Sequence, residues 1–388
     1  MRTGHVIAAA LLVTTALVGG VAGPAAGAQP ATPPSPTIES PTDGPSVHQA
    51  GETCGFPLEV TDATGTTIAL DEAPERITTT NPSAAQTLWE LGEQDRVVGV
   101  TQYAAYLDGA NERENVSAEG LGVSVERVVA TEPDLVLAPN ASAGQVEALR
   151  DQGLTVYHFP EATSIEAIAE KTETVGRLVG NCEAAAETNA EMNAAVEAAE
   201  NRTAGLDRPN ALYPLGSGFV AANNTFINSI MEAGGVDNVA AAEGDGYPQL
   251  SNEVILQTDP ELILVTTPDA AILEEEPYAS TTAGTEGNYV VMNVNYLNQP
   301  APRSVIESTT TLSTAVAELQ ADGDGETDAT DGEDGGDGGT SESDGDDGST
   351  EGGSDGDADG ATGDSAPGFG VAAALVAAVA AALIARRS

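Results

Sequence analysis

Cations are nearly absent from this chain: 13 lysines and arginines, of which only Lys171 is a lysine, face 61 aspartates and glutamates, and the formal charge is −48. A nucleic-acid partner requires a basic face and is excluded. At low ionic strength such a coat repels itself. In about 1 M salt the Debye length falls to roughly 3 Å, so the composition suits concentrated brine. Histidine is as scarce, with three in the chain. His5 and His48 fall in amino-terminal segments that build no core, and His158 ends an apolar run, where it reads as a satisfied strand-end residue. Gly216-Ser217-Gly218 falls short of a nucleophile elbow and has no histidine after it, which excludes a Ser-His-acid hydrolase. No glycine-rich loop carries a lysine for phosphates, and no multi-histidine pocket exists for zinc or manganese. The chain is therefore read as a non-enzyme with no catalytic residue, no metal ligand and no cofactor. Cysteine is limited to Cys54 and Cys182, a pair better read in an exported protein as one disulfide than as metal ligands or a reactive thiol.

Export is written at the amino terminus. Arg2 and His5, an apolar stretch over 6–21 and the small-residue triplet Ala26-Gly27-Ala28 make residues 1–28 a signal peptide. A Pro/Ser/Thr/Gly-rich linker follows over 29–53. At the other end, residues 321–366 are almost wholly Asp, Gly, Ser and Thr. Such a segment cannot offset its ordering entropy and is expected to be an extended, disordered acidic tether. Residues 368–385 form an apolar run closed by Arg386 and Arg387, long enough for one transmembrane helix with its cations in the cytoplasm. The protein is thus expected outside the cell, fixed to the membrane by residues 367–388. Pro367-Gly368-Phe369, the apolar run and the arginine pair resemble the PGF-CTERM sorting signal of haloarchaeal surface proteins. That resemblance implies an archaeosortase that exchanges the helix for a lipid.

Only the region between can fold. Apolar runs at 97–100, 135–138, 156–159, 211–215 and 262–265 read as buried strands of an α/β protein. After Phe159, Ser164 can cap a helix, and 166–200 runs on with few breakers besides Gly176 and Gly180. Read as one rod, it would span about 50 Å. A repeat is the most informative feature: Glu126-Arg127-Val128-Val129-Ala130-Thr131-Glu132-Pro133-Asp134-Leu135-Val136-Leu137 returns as Glu253-Val254-Ile255-Leu256-Gln257-Thr258-Asp259-Pro260-Glu261-Leu262-Ile263-Leu264. Each copy describes a short helix with a glutamate in its first turn, a proline-containing stop and a buried strand. Two copies flanking a long helix predict two related lobes.

Pro74-Glu75-Arg76-Ile77, Asn81-Pro82-Ser83-Ala84-Ala85-Gln86-Thr87-Leu88, Leu91-Gly92 and Asp95-Arg96-Val97-Val98-Gly99-Val100-Thr101 resemble the opening of the cobalamin and ferric-siderophore class of ABC-transporter binding proteins. Thr225-Phe226-Ile227, Ala233-Gly234-Gly235-Val236-Asp237-Asn238 and Pro302-Arg303 resemble later motifs of that class. The resemblance implies two Rossmann-like lobes joined by a single long α-helix: an N-terminal lobe over 54–160, a spine helix over 161–204 and a C-terminal lobe over 205–320. It also implies a small-molecule ligand between the lobes, an ABC permease with its ATPase as partners, and Glu126 and Glu253 as the pair that docks on the permease.

For the ligand site, aromatics on predicted loops and strand ends are the candidates: Trp89, Tyr103, Tyr106, Tyr213, Phe219, Tyr247 and Tyr289. Such rings grip large planar guests. Arg303, with Arg113, is the available cation. Poverty in arginine favours a corrinoid over an anionic ferric siderophore. A monomer is expected. The sequons at Asn115, Asn140, Asn201 and Asn223 suit an exported protein, and would equally suit a surface adhesin or cell-wall protein, the competing reading.

Overall fold

The computed structural model describes residues 54–120 and 122–326. The signal peptide, the linker, nearly all of the acidic tether and the anchor lie outside the described residues. Among those described, no helix is long and apolar enough to cross a membrane.

The chain opens with a hairpin, β1 (Leu58–Thr61) and β2 (Thr67–Leu70). Its inward residues Leu58, Ile68 and Leu70 join the first lobe's core. Five strands then build an all-parallel sheet: β3 (Ile77–Thr79), β4 (Val97–Val100), β5 (Glu114–Asn115), β6 (Leu135–Ala138) and β7 (Val156–His158), in the order β5-β4-β3-β6-β7. The helices between them are α1 (Pro82–Glu90), α2 (Val125–Ala130) and α3 (Ala143–Asp151). All four residues of β6 are buried, as a strand covered on both faces requires.

Here the expected single spine is corrected. Residues 165–203 form two helices, α4 (Ile165–Val179) and α5 (Cys182–Thr203). Gly180 ends α4 in the left-handed region at φ 76°, and Asn181 caps α5 by accepting from the Ala184 amide. The chain folds back there. A Cβ on Gly176 would sit 2.5 Å from that of Ala185, so glycine lets the helices press together. Asn189 on α5 donates to the Ala169 carbonyl of α4 at 3.0 Å, which makes the pair antiparallel. The glycines noted as weak points in a rod are the hairpin's turn and contact point.

The second lobe holds β8 (Asn210–Leu212), a hairpin of β9 (Pro214–Gly216) and β10 (Phe219–Val220), α6 (Phe226–Ala233), β11 (Asp237–Asn238), α7 (Asn252–Thr258), β12 (Leu262–Val265), α8 (Thr282–Glu286), β13 (Tyr289–Val291) and α9 (Val294–Leu297). Its sheet is parallel, in the order β11-β8-β12-β13, which repeats β4-β3-β6-β7 of the first lobe. α10 (Pro302–Glu326) closes the described chain and packs along α5.

The sequence repeat is a structural one. α2 leads into β6 as α7 leads into β12, and the residue before each stop's proline, Glu132 and Asp259, takes positive φ, 47° and 41°. Two residues on, Asp134 accepts from the Glu75 and Arg76 amides and Glu261 from the Asn210 amide, each pinning the neighbouring strand. Repeated composition thus encodes a repeated tie between helix stop and sheet.

Both cores share the crossing helices. On α4, Ile168 belongs to the second core, whereas Val175, Leu178 and Val179 belong to the first. On α5, Ala185 packs in the first and Met192 in the second. Each large apolar side chain so buried is worth about 1.5–3 kcal/mol, so the cores cannot be separated without exposing both helices. Cys54 and Cys182 form a disulfide that pins the start of the first lobe to the start of α5. It closes a loop of 128 residues, for which chain entropy allows up to about 5 kcal/mol. The double variant Cys54→Ser/Cys182→Ser is expected to lose about 2–5 kcal/mol in denaturant titration at fixed molar salt, and adding reductant should lower the wild type to the same level.

Candidate functional site

The strands of both sheets end at one cavity of about 170 Å³, where open parallel sheets commonly bind ligands. Asn81 and Ser83, which begin α1 after β3, Asn140 after β6 and Phe159 after β7 line it from the first lobe. Thr225, Phe226 and Ile227 at the start of α6, Tyr247, and residues 297–300 line it from the second. Asn81 and Thr225 are N-caps, each accepting a first-turn amide. Two helix N-termini therefore meet here, and their dipoles favour negative charge. A site of this volume is smaller than the roughly 300–1,000 Å³ usual for drug-sized ligands.

The cavity floor is Lys171. It follows Ile168 by one helical turn and precedes Val175 by another, so it stands on α4 at the seam of the two cores. It is only 7% exposed. Its Nζ donates to Ser83 Oγ at 3.0 Å in one lobe and to the Pro300 carbonyl at 2.9 Å in the other. The Phe159 ring lies 6.0 Å away. No carboxylate pairs with it among the described residues, and burial pushes its ammonium down to about 7.

Of the aromatics expected to bind ligand, Tyr247 lines the cavity. Burial first, and Glu161 second, push its phenol up to about 12. Tyr213 stands one layer back, donating to Asn298 Oδ1 at 3.3 Å. Tyr106 and Arg303 belong to the contact between lobes. Gln86 Nε2 donates to the Tyr106 hydroxyl at 2.8 Å, and Tyr106 meets Tyr296 edge-on at 6.0 Å. Arg303 on α10 clasps Glu90 on α1 at 2.7 and 3.2 Å. Burial pushes the Tyr106 phenol up, and Glu90 holds the Arg303 guanidinium above its usual value. The remaining four do not line the cavity. Trp89 Nε1 donates to the Asp108 carbonyl and the Tyr103 hydroxyl to that of Gly120, both within the first lobe. Phe219 opens β10. Tyr289 begins β13, at the strand end away from the cleft, and is 40% exposed. Arg113 lies beside Asp95 at 3.9 Å.

Phe159, Phe226 and Lys171 were not among the expected ligand contacts. A signal for Lys171 exists: a solitary lysine interrupting the apolar stripe from Ile168 to Val175. His158, as expected, is a buried strand-end residue, its Nδ1 2.9 Å from the Ala138 carbonyl.

Glu126 and Glu253 occupy equivalent places, each exposed in the first turn of a helix capped by serine, Ser124 or Ser251. Glu126 accepts from its own backbone amide and from Ser124 Oγ, which holds its carboxyl below the usual range. Beside Glu253 stands Leu256, 43% exposed; the matching Val129 is half-buried.

The family model for periplasmic binding proteins matches residues 77–295. Over 358 residues the chain is 46% identical to a protein of Halobacterium salinarum named cobalamin-binding protein, covering 88% of this chain and 92% of that one. Among solved structures it resembles the periplasmic heme-binding protein RhuT of Roseiflexus, with a TM-score of 0.57, 24% identity, and 63% and 98% of the two chains covered. It also resembles the periplasmic vitamin B12-binding protein BtuF of Vibrio cholerae, with a TM-score of 0.55, 23% identity, and 64% and 98% covered.

The buried lysine has a consequence for stability. Its folded value near 7 lies below the ordinary 10.5, so between those values the unfolded chain binds the extra proton. Stability should rise with pH across that window by about 1.4 kcal/mol per unit, the penalty being complete below pH 7 and gone above 10.5. In Lys171→Met this rise should vanish. Denaturant titrations at stepped pH check it: the difference between variant and wild type must shrink as pH climbs, whereas a difference constant with pH contradicts it.

Proposed function

The chain belongs to the periplasmic binding protein family, whose exported members bind small molecules and serve an ABC permease and its ATPase, and on that footing we propose that its cargo is a corrinoid. The observation that carries the reading is the 46% identity, over nearly the whole of both chains, to a protein named for cobalamin binding. The cavity's chemistry agrees. Phe159, Phe226, Ile227 and Tyr247 offer apolar and aromatic surface, and no arginine lines it. A ferric siderophore or porphyrin bearing several carboxylates calls for several cations, whereas a corrinoid's rim is mostly neutral amide.

Capture requires no bond chemistry. The guest's apolar faces are buried against side chains of both lobes, so its binding biases the lobes toward closure. Glu126 and Glu253 present one carboxylate from each lobe to the permease, and ATP-driven movement of the permease parts the lobes. In molar salt these exposed charges are strongly screened, so apolar contact at Leu256 supplies much of the docking. Ligand binding and docking are thus carried by separate surfaces.

Absorbance titration with cyanocobalamin in molar salt should show saturable binding. Phe159→Ala and Tyr247→Ala should each weaken it by tenfold or more, a loss of at least about 1.4 kcal/mol. The triple variant Glu126→Ala/Glu253→Ala/Leu256→Ala should bind as wild type yet lose uptake when the transporter is reconstituted. Binding of ferric siderophores but no corrinoid would overturn the proposal.

A further inference from the structure

We propose that Lys171 is an anion receptor at the floor of the cleft, where it takes the phosphodiester of the bound corrinoid. This deepens the corrinoid reading and rests on it. A buried ammonium is costly unless paired and fully hydrogen-bonded. Lys171 has neither condition met: two of its three possible donors are used, by Ser83 Oγ and the Pro300 carbonyl, and no carboxylate pairs with it among the described residues. Among the described residues no aspartate or glutamate forms an ion pair with this amine, and the nearest acid of the lining, Glu161, is exposed. The positive ends of α1 and α6 meet at the same cavity, since Ser83, Phe226 and Ile227 line it with Lys171. Amine and dipoles together make a positive recess inside an acidic protein.

Recess and guest match in number. Cobalamin carries a single anionic link, the phosphodiester that joins its nucleotide to the ring, and the cavity holds a single cation. Because Lys171 is tied to both lobes, an anion seated on it would engage both at once. The only other titratable groups lining the cavity are Glu161 and Tyr247. Glu161 is exposed and Tyr247 stays neutral with its phenol near 12, and neither is paired with the amine that the anion would take. Beyond the cavity, Glu90 and Arg303 satisfy one another.

The test compares cyanocobalamin with dicyanocobinamide, which lacks the phosphodiester and its nucleotide, on the whole purified protein in molar salt. Lys171→Met should weaken cyanocobalamin tenfold or more and leave dicyanocobinamide within twofold. Equal weakening of both ligands, or of neither, overturns the anion role while leaving the corrinoid reading intact. If the wild type binds neither corrinoid, that reading itself falls and takes the anion role with it. A second measurement needs no variant: at pH 8.5, calorimetry of cyanocobalamin binding in two buffers of different ionisation heat should show net proton uptake, because the amine must charge to hold the phosphodiester. No uptake there contradicts the proposal.

Discussion

Everything in this molecule hangs on helices that belong to two cores at once. α4 leaves the second core at Ile168 and enters the first at Val175 within two turns, and α5 returns the other way. The two sheets of short strands are stabilised together, because neither can shed these helices without exposing apolar surface on the other side. The arrangement also decides where the ligand goes. With the crossing helices beneath, the carboxyl ends of both sheets face a common gap, and the loops that follow the strands become its walls.

The seam is where burial and charge collide. A methionine at position 171 would fill the same stripe without desolvating an amine, and replacing buried charges with well-packed apolar residues is often neutral or stabilising. Strongly perturbed ionisable groups that line a cleft concentrate at functional sites for that reason. The rest of the chain's charge follows a different rule. Most carboxylates of the described residues are exposed, where molar salt would screen them, so the acidic coat and the buried amine respond to the medium independently.

Much of the fold was legible in the residues. The runs at 97–100, 135–138 and 262–265 are strands at those positions, since buried parallel strands carry unbroken apolar runs. The duplicated segment marked two equivalent units, because helix stop, first-turn acid and strand are all local chemistry. Cys54 and Cys182 had only each other to pair with. The spine breaks into two helices for a tertiary reason. Gly176 and Gly180 look like flaws in a helix until Ala185 and the Asn181 cap are in place. Tyrosines on loops announce only that a ring stands near the surface. Tyr289 starts β13 at the sheet's far end, whereas Tyr247 stands on a loop that lines the cavity, and no local pattern tells the two apart.

Duplication explains how recognition and delivery can share so small a body. Two copies of one helix-stop-strand unit, placed on either side of the crossing helices, put an acid in the first turn of α2 and of α7 while leaving the opposite ends of their strands free to form the cleft. The two surfaces are coupled only through the lobes' relative position, which Lys171, Gln86–Ser304 and Glu90–Arg303 all hold. The copies have also diverged, with Leu256 exposed where Val129 is half-buried. An apolar contact keeps its strength in brine and a surface ion pair does not.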